Sequence, residues 1–207
     1  AASDVYKRQG KGLFSHPKKG GIFLPEWINS NFDNFYSYGL ISGPSFADEV
    51  ISNKPTAVMI ASQSITLSTK IADYFEESYL RCYIGDDITG VAVGGAVKNI
   101  IAIAAGIATG LELGDNARAA LVSRGLAEIT RLAVKIGGRP QTINGLAGMG
   151  DLVLTCSSPH SRNMAFGMAI AKNQTPDPKL AEGKKAAELL NARAIYEDIE
   201  LPIAQAV

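Results

Sequence analysis

The sequence predicts an α/β segment with a partly parallel sheet, followed by an all-helical segment, with the boundary between residues 85 and 89. Two observations predict this. Before residue 87, short apolar runs of strand length alternate with helical stretches, the pattern of α/β layering. From Asp86 onward the chain is rich in Ala, Gly, Ile and Leu at helical spacing. Residues 36–42 predict a strand running into the tight turn Gly43-Pro44, and 45–51 a short helix after it. Residues 57–62 (Ala-Val-Met-Ile-Ala-Ser) are a continuous apolar strand, 68–75 a helix, and 80–84 a further strand closed by Gly85. Nearer the start, Lys18, Lys19, Gly20 and Gly21 predict a solvated turn.

The helical part opens with a long helix over 88–110, capped by Asp86 or Asp87. It is apolar nearly all round, so it is either buried or in a membrane. Lys98 and Asn99 at its centre favour burial, because a central Lys costs about 2.5–3.5 kcal/mol on insertion scales. A second helix over 116–136 carries Val122, Leu126, Ile129, Ala133 and Ile136 as one stripe and stops at Gly137-Gly138. Shorter helices are expected over 151–156 and 162–172.

The chain has 207 residues, 46% of them hydrophobic and 19% charged, which fits a globular protein with a sizeable core. Twenty Lys and Arg balance twenty Asp and Glu, which argues against a general nucleic-acid binder. Two cysteines, Cys82 and Cys156, make neither a disulfide framework nor a thiolate zinc site. His16 and His160 lack ligand spacing, so no metal is expected. No secretory signal is visible, and a reducing, cytoplasmic setting is expected. Residues 1–9 match nothing around them and are expected to be foreign, and the chain is expected to be cut at its C-terminus.

Four segments carry candidate chemistry. Lys98, inside Gly94-Gly95-Ala96-Val97-Lys98-Asn99, is expected to be desolvated with a lowered pKa. It is then either a general base or a lysine paired with a buried carboxylate. Asp151 and Thr155, four apart after Gly148-Met149-Gly150, share a helix face. Ser161, Arg162 and Asn163 start the next helix, where free N–H groups and a guanidinium suit an anion; an ordinary cap is the plainer reading. Ser42-Gly43-Pro44-Ser45-Phe46-Ala47 is a turn that brings backbone near a ligand, and Lys11 lies between two glycines. No complete G-x-G-x-x-G, phosphate-cradling Walker loop or G-x-S-x-G elbow is present.

In order, Gly43-Pro44-Ser45-Phe46-Ala47, Gly95-Ala96-Val97-Lys98-Asn99, Arg124-Gly125-Leu126-Ala127-Glu128, Gly150-Asp151-Leu152-Val153-Leu154-Thr155-Cys156 and Ser161-Arg162-Asn163 resemble the bacterial-type NAD(P)-dependent sn-glycerol-3-phosphate dehydrogenases. The resemblance runs from about Gly10 to the C-terminus. It implies that residues 1–87 are the C-terminal part of a Rossmann-type dinucleotide-binding domain and 88–207 an all-α substrate domain. It implies Lys98 as proton acceptor, Lys11 as a second active-site lysine, and Asp151 beside them. Gly43, Ser45, Asn99, Asp151, Thr155, Ser161, Arg162 and Asn163, with both lysines, resemble the substrate-binding set. Lys11, Ala47, Arg162, Leu180 and Glu182 resemble the contacts to NAD or NADP.

The implied reaction interconverts glycerol 3-phosphate and dihydroxyacetone phosphate, feeding glycerophospholipid synthesis. The implied partners are a small phosphorylated substrate and a homodimer, with no nucleic acid and no membrane span. The family's glycine-rich loop has no counterpart here, so this chain alone is expected to be inactive. The competing expectations are a related two-domain dehydrogenase of hydroxy acids or sugar-acid phosphates, and a non-catalytic helical module. Convergence of Lys98, Asp151 and Arg162 on one cleft separates the enzymes from the module.

Overall fold

Helix α4 (Ile88–Gly110) is the element on which most others pack. The computed structural model describes residues 11–32, 37–158, 160–176 and 182–207; the expectations for residues 1–9, Gly10, Tyr36 and Leu180 lie outside these. Asp87, not Asp86, caps α4: its Oδ1 accepts the Gly90 N–H at 2.8 Å and its Oδ2 the Arg139 N–H at 2.8 Å. Asp86 instead pairs with the Arg139 guanidinium at 2.6 Å.

Around α4 stand α5 (Gly114–Lys135), α6 (Pro140–Ile143), α7 (Asp151–Ser157), α8 (Arg162–Ala171), α9 (Glu182–Glu197) and α10 (Pro202–Ala206). Glycines permit the closest approaches: a Cβ at Gly106 would lie 2.1 Å from the Met164 carbonyl oxygen, and one at Gly94 2.6 Å from that of Ala147. Val97, Ile100, Ile101, Ile129, Leu132, Leu152 and Leu190 are wholly buried between these helices, each contributing roughly 1.5–3 kcal/mol of hydrophobic stabilisation. By length and composition α4 could cross a membrane, but here it lies mostly inside the protein.

The three-stranded sheet has the order β3 (Gly39–Ser42), β4 (Thr56–Ser62), β5 (Leu80–Gly85). β3 pairs antiparallel with β4, placing Ser42 opposite Met59, and β4 pairs parallel with β5. Helix α2 (Ala47–Ile51) starts two residues later than expected, because the Ser45 hydroxyl donates to the Gly43 carbonyl at 3.2 Å and holds the turn. Helix α3 (Ile65–Asp73) starts earlier, because Ser64 Oγ accepts the Leu67 N–H at 3.3 Å.

Two further features depart from the sequence expectation. The stretch from Lys18 to Gly21 is not one solvated turn. Gly20 and Gly21 begin β2 (Gly20–Phe23), which pairs antiparallel with β1 (Leu13–His16). Gly20 sits at φ 69°, and a Cβ there would strike the Ala192 side chain of α9, so the glycines serve a helix contact. Helix α1 (Leu24–Asn31) follows β2. The second feature is a π-helical turn, Leu146–Gly150, running directly into α7.

Arg193 of α9 fastens this N-terminal hairpin. It is buried and donates to Glu26 Oε1 and Oε2 at 3.0 and 2.9 Å, to Glu197 Oε1 at 2.8 Å and to the Gly21 carbonyl at 3.0 Å. Burial pushes the Glu26 carboxyl up, but the bonds from Arg193, the Phe23 N–H and Lys19 outweigh it and hold the group below its ordinary 4.5. Arg193→Met strands these acceptors and should cost about 3 kcal/mol, the low end for a broken buried ion pair because Glu26 keeps some solvent contact. A carboxyl with a depressed folded pKa stabilises above its unfolded value and ceases to as pH falls through the folded one. The difference between parent and variant in urea unfolding should therefore be present near neutral pH and shrink below 4.5. A pH-independent difference would remove Glu26 from the clip.

Candidate active site

Lys98 lies in the middle of α4, held there by the apolar residues on either side, and is 7% exposed. Asp151 opens α7 directly after the π-helical turn and is 2% exposed. Lys98 Nζ donates to Asp151 Oδ1 and, at 3.0 Å, to the Thr155 hydroxyl one turn further along α7. Thr155 in turn donates to the Asp151 carbonyl at 2.5 Å, which fixes its lone pairs toward Lys98. Lys11, two residues before β1, donates to Asp151 Oδ2 at 2.7 Å. Two ammonium groups thus share one carboxylate.

Burial pulls the Lys98 pKa down from 10.5 to about 8; the Lys11 charge pushes the same way, and Asp151 opposes both. The Cys156 thiol beside them is pushed up to about 12, chiefly by burial, so it stays neutral and takes no part in charge balance. A lysine near 8 exchanges its proton readily around neutral pH, with the Lys11–Asp151 ion pair beside it.

The turn Gly43-Pro44-Ser45 closes one side. Gly43 has φ 153°, and a Cβ there would press on the backbone of Ala57 and Val58 at 3.0 Å, so glycine is required. A Cβ on Gly150 would lie 3.5 Å from Pro44 Cδ, so this turn abuts the start of α7. Phe46 reaches His160, with ring centroids 6.5 Å apart, which brings the turn against the loop before α8. Ser45 and Ala47 are exposed on this rim, and Arg162 is exposed in the first turn of α8.

Two members of the Ser-Arg-Asn segment are engaged in packing. Ser161 caps α8 by accepting the Met164 N–H at 3.3 Å. Asn163 Oδ1 accepts the Gly183 N–H at 3.2 Å, tying α8 to α9. Asn99 is buried beside Lys98. Glu182 opens α9, whereas Leu180 lies outside the described residues. The structure thus joins Lys11, Lys98, Asp151 and Thr155 directly and sets Gly43 and Ser45 at their edge. Glu128, in one of the motif segments, acts elsewhere, since its carboxylate accepts the Ile203 and Ala204 N–H groups at 2.8 and 3.2 Å and caps α10.

Two residues at the centre have no role that sequence reasoning finds. Ser42 Oγ approaches Asp151 Oδ2 at 3.5 Å, and Gly95 faces both Ser42 and Lys11. The sequence signals Ser42 only as the last residue of a strand before a Gly-Pro turn.

A family model of the C-terminal part of NAD-dependent glycerol-3-phosphate dehydrogenase matches residues 87–207, and one of the N-terminal part matches 8–68. The chain belongs to the NAD-dependent glycerol-3-phosphate dehydrogenase family. It is 44% identical over 203 residues to glycerol-3-phosphate dehydrogenase [NAD(P)+] of Halorhodospira halophila, an alignment covering 95% of this chain and 60% of that protein. It is 41% identical over 214 residues to the Staphylococcus aureus enzyme of that name, covering 97% of this chain and 64% of the other. The chain therefore spans a little under two thirds of these curated relatives. The crystal structure of glycerol-3-phosphate dehydrogenase from Coxiella burnetii superposes with a TM-score of 0.77 at 44% identity, over 82% of this chain and 54% of that one. The Saccharomyces cerevisiae enzyme superposes with a TM-score of 0.77 at 24% identity, over 95% and 61%, which speaks for the fold alone. The fold class of the family is accordingly that of this chain: a Rossmann-like segment followed by helices.

The charge coupling has a measurable sign. Removing Lys11 should raise the Lys98 pKa above about 8, and replacing Asp151 by Asn should lower it. NMR titration of reductively ¹³C-methylated lysines in Lys11→Ala and Asp151→Asn would show opposite displacements. Displacements of the same sign would mean that the three groups are not electrostatically coupled as the geometry states.

Proposed function

We propose that the whole protein interconverts sn-glycerol 3-phosphate and dihydroxyacetone phosphate by hydride transfer to or from NAD or NADP. Its product would feed glycerophospholipid synthesis, and its setting would be the cytoplasm. The observation that carries this is the buried Lys98, near pKa 8, bonded to Asp151 and Thr155 with a second ammonium across the carboxylate. Family membership supplies the substrate class.

Each residue has a physical role. In alcohol oxidation neutral Lys98 takes the hydroxyl proton; in reduction its ammonium polarises the ketone and returns the proton. Asp151 orients Lys98 and Lys11, and Thr155 directs the Lys98 ammonium. With Lys98 protonated, two ammonium groups face one carboxylate, and that positive balance suits a phosphorylated substrate. Asn99, Gly43, Ser45, Ser161, Arg162 and Asn163 complete the substrate side, with Arg162 and the start of α8 taking the phosphate. Lys11, Ala47 and Arg162, with Leu180 and Glu182, would hold the dinucleotide. The donor set fits such a group in kind: Lys11 offers a part-exposed ammonium and Arg162 is exposed in the first turn of α8, two residues after the His160 that Phe46 reaches. When bound, the nicotinamide supplies the acceptor for the hydride leaving the substrate carbon. Residues 1–87 would belong to the dinucleotide-binding domain and 88–207 to the substrate domain, with a homodimer as the proposed assembly.

Lys98→Ala in the protein as encoded by its gene should fold and lose at least ~100-fold in turnover, the usual scale for acid–base catalysis. Because the base must be neutral, kcat/KM for alcohol oxidation should rise with pH through about 8 in the parent. A profile flat from neutral to alkaline pH, or near-normal turnover of the variant, would sink the assignment. Measured at saturating NAD(P), Arg162→Ala should weaken glycerol 3-phosphate by roughly 1.5–3 kcal/mol more than unphosphorylated glycerol, the range for hydrogen bonds to a charged group. Equal losses on both substrates would show that Arg162 does not recognise the phosphate.

A further inference from the structure

Asn163 is the second residue of α8, where asparagine is a weaker helix former than alanine or leucine. It does not cap its own helix, since Ser161 already accepts the Met164 N–H. Its Oδ1 instead accepts the Gly183 N–H at 3.2 Å, across 20 residues of chain. Gly183 is the second residue of α9, and its N–H is one of the first-turn donors that find no partner inside a helix. Among the described residues, Asn163 is the side chain that meets such a donor of α9. Both residues are buried, so removing the acceptor strands the Gly183 N–H away from water.

The contact stands on a rigid support. Helix α8 meets α4 at backbone distance: a Cβ at Gly167 would lie 2.1 Å from the Ile103 carbonyl oxygen, and one at Gly106 2.1 Å from that of Met164. Gly183 enters the angle between these two helices, where a Cβ would lie 2.6 Å from Ile103 Cδ1, 2.7 Å from Asn163 Oδ1 and 3.3 Å from the Asn99 carbonyl oxygen. The later turns of α9 are held elsewhere, with Leu189 and Ala192 against the glycines of β2 and Arg193 on Glu26. Asn163 therefore sets the first turn of α9 against the helix that carries Lys98.

We propose that Asn163 is a positioning residue for the dinucleotide: its side-chain carbonyl fixes where α9 begins, and with it Glu182, the residue before Gly183. The inference rests on the reading of Glu182 as a dinucleotide contact. The neighbouring Arg162 is exposed, so one turn of α8 presents a guanidinium outward while it holds α9 inward. Dinucleotide affinity then depends on Asn163 even when no substrate is present. A residue that only contacted the substrate would have no such effect.

The test uses the protein as encoded by its gene. NAD(P)H binding without substrate is followed by nicotinamide fluorescence, and the Gly183 amide by hydrogen exchange. In Asn163→Ala the amide should exchange at least ~10-fold faster and NAD(P)H should bind ~10-fold more weakly, the scale of one buried hydrogen bond. Asn163→Asp keeps an acceptor oxygen and should keep the parental exchange; fast exchange there overturns the tether. Glu128→Gln, which loosens α10 instead, should melt early with parental NAD(P)H affinity. An equal loss of affinity in Glu128→Gln, parental affinity in Asn163→Ala, or an effect confined to glycerol 3-phosphate at saturating cofactor overturns the proposal. If Asn163→Ala does not fold, Gly183→Ala decides, because its Cβ forces Asn163 Oδ1 to retreat while meeting chiefly movable side-chain ends. NAD(P)H should again bind more weakly, and parental affinity overturns the proposal. Parental affinity in Glu182→Ala overturns the reading of Glu182 as a dinucleotide contact. Weakening there with parental affinity in Asn163→Ala overturns the tether alone.

Discussion

Asp151 is the one carboxylate to which Lys98 and Lys11 both donate, and the architecture of the site follows from that sharing. A buried ammonium is costly to solvate in a protein interior, and two close together are costlier. The single carboxylate makes the pair tolerable without neutralising it. What remains is a cationic cleft with a lysine poised to lose its proton near pH 8, a state that neither lysine would reach in water. The same balance that lets Lys98 sit in an apolar helix gives it acid–base chemistry.

Helix α4 suits this group because it is buried along most of its length. Its wholly buried neighbours Val97, Ile100 and Ile101 leave Lys98 little freedom, and a site on a packed helix is held more sharply than one on a loop. The requirement to bury all faces also gives α4 the hydropathy of a membrane span. The carbonyls packed against Gly94 and Gly106 show that its apolar surface is matched to protein backbone.

Lys11 depends on a different part of the fold. It precedes β1, and the β1–β2 hairpin is clipped to α9 by Arg193 through Glu26, Glu197 and the Gly21 carbonyl. A residue near the start of the chain thereby acquires a defined position beside one at 151. The clip shares no residue with the lysine–aspartate cluster, yet it anchors the strand that follows Lys11.

Local pattern makes several elements legible: the apolar run of β4, the strand β5, the full span of α4 and the cap-and-stop signals of α5 depend on residues adjacent in sequence. Lys98 is legible for the same reason, since its own neighbours desolvate it. Asp151 and Thr155 are legible as a pair one helical turn apart. The resemblance grouped Lys11, Lys98 and Asp151, but only tertiary structure decided that both ammonium groups donate to that one carboxylate, Lys11 from 140 residues away. It also turned Gly20 and Gly21 from an apparent loop into a strand against α9, made Glu128 the cap of α10, and brought Ser42 and Gly95 face to face. Periodicity and capping are local energies that a sequence displays along its length. Which carboxylate meets which ammonium, and which glycine faces a side chain rather than a carbonyl, is set by packing between segments far apart in the chain.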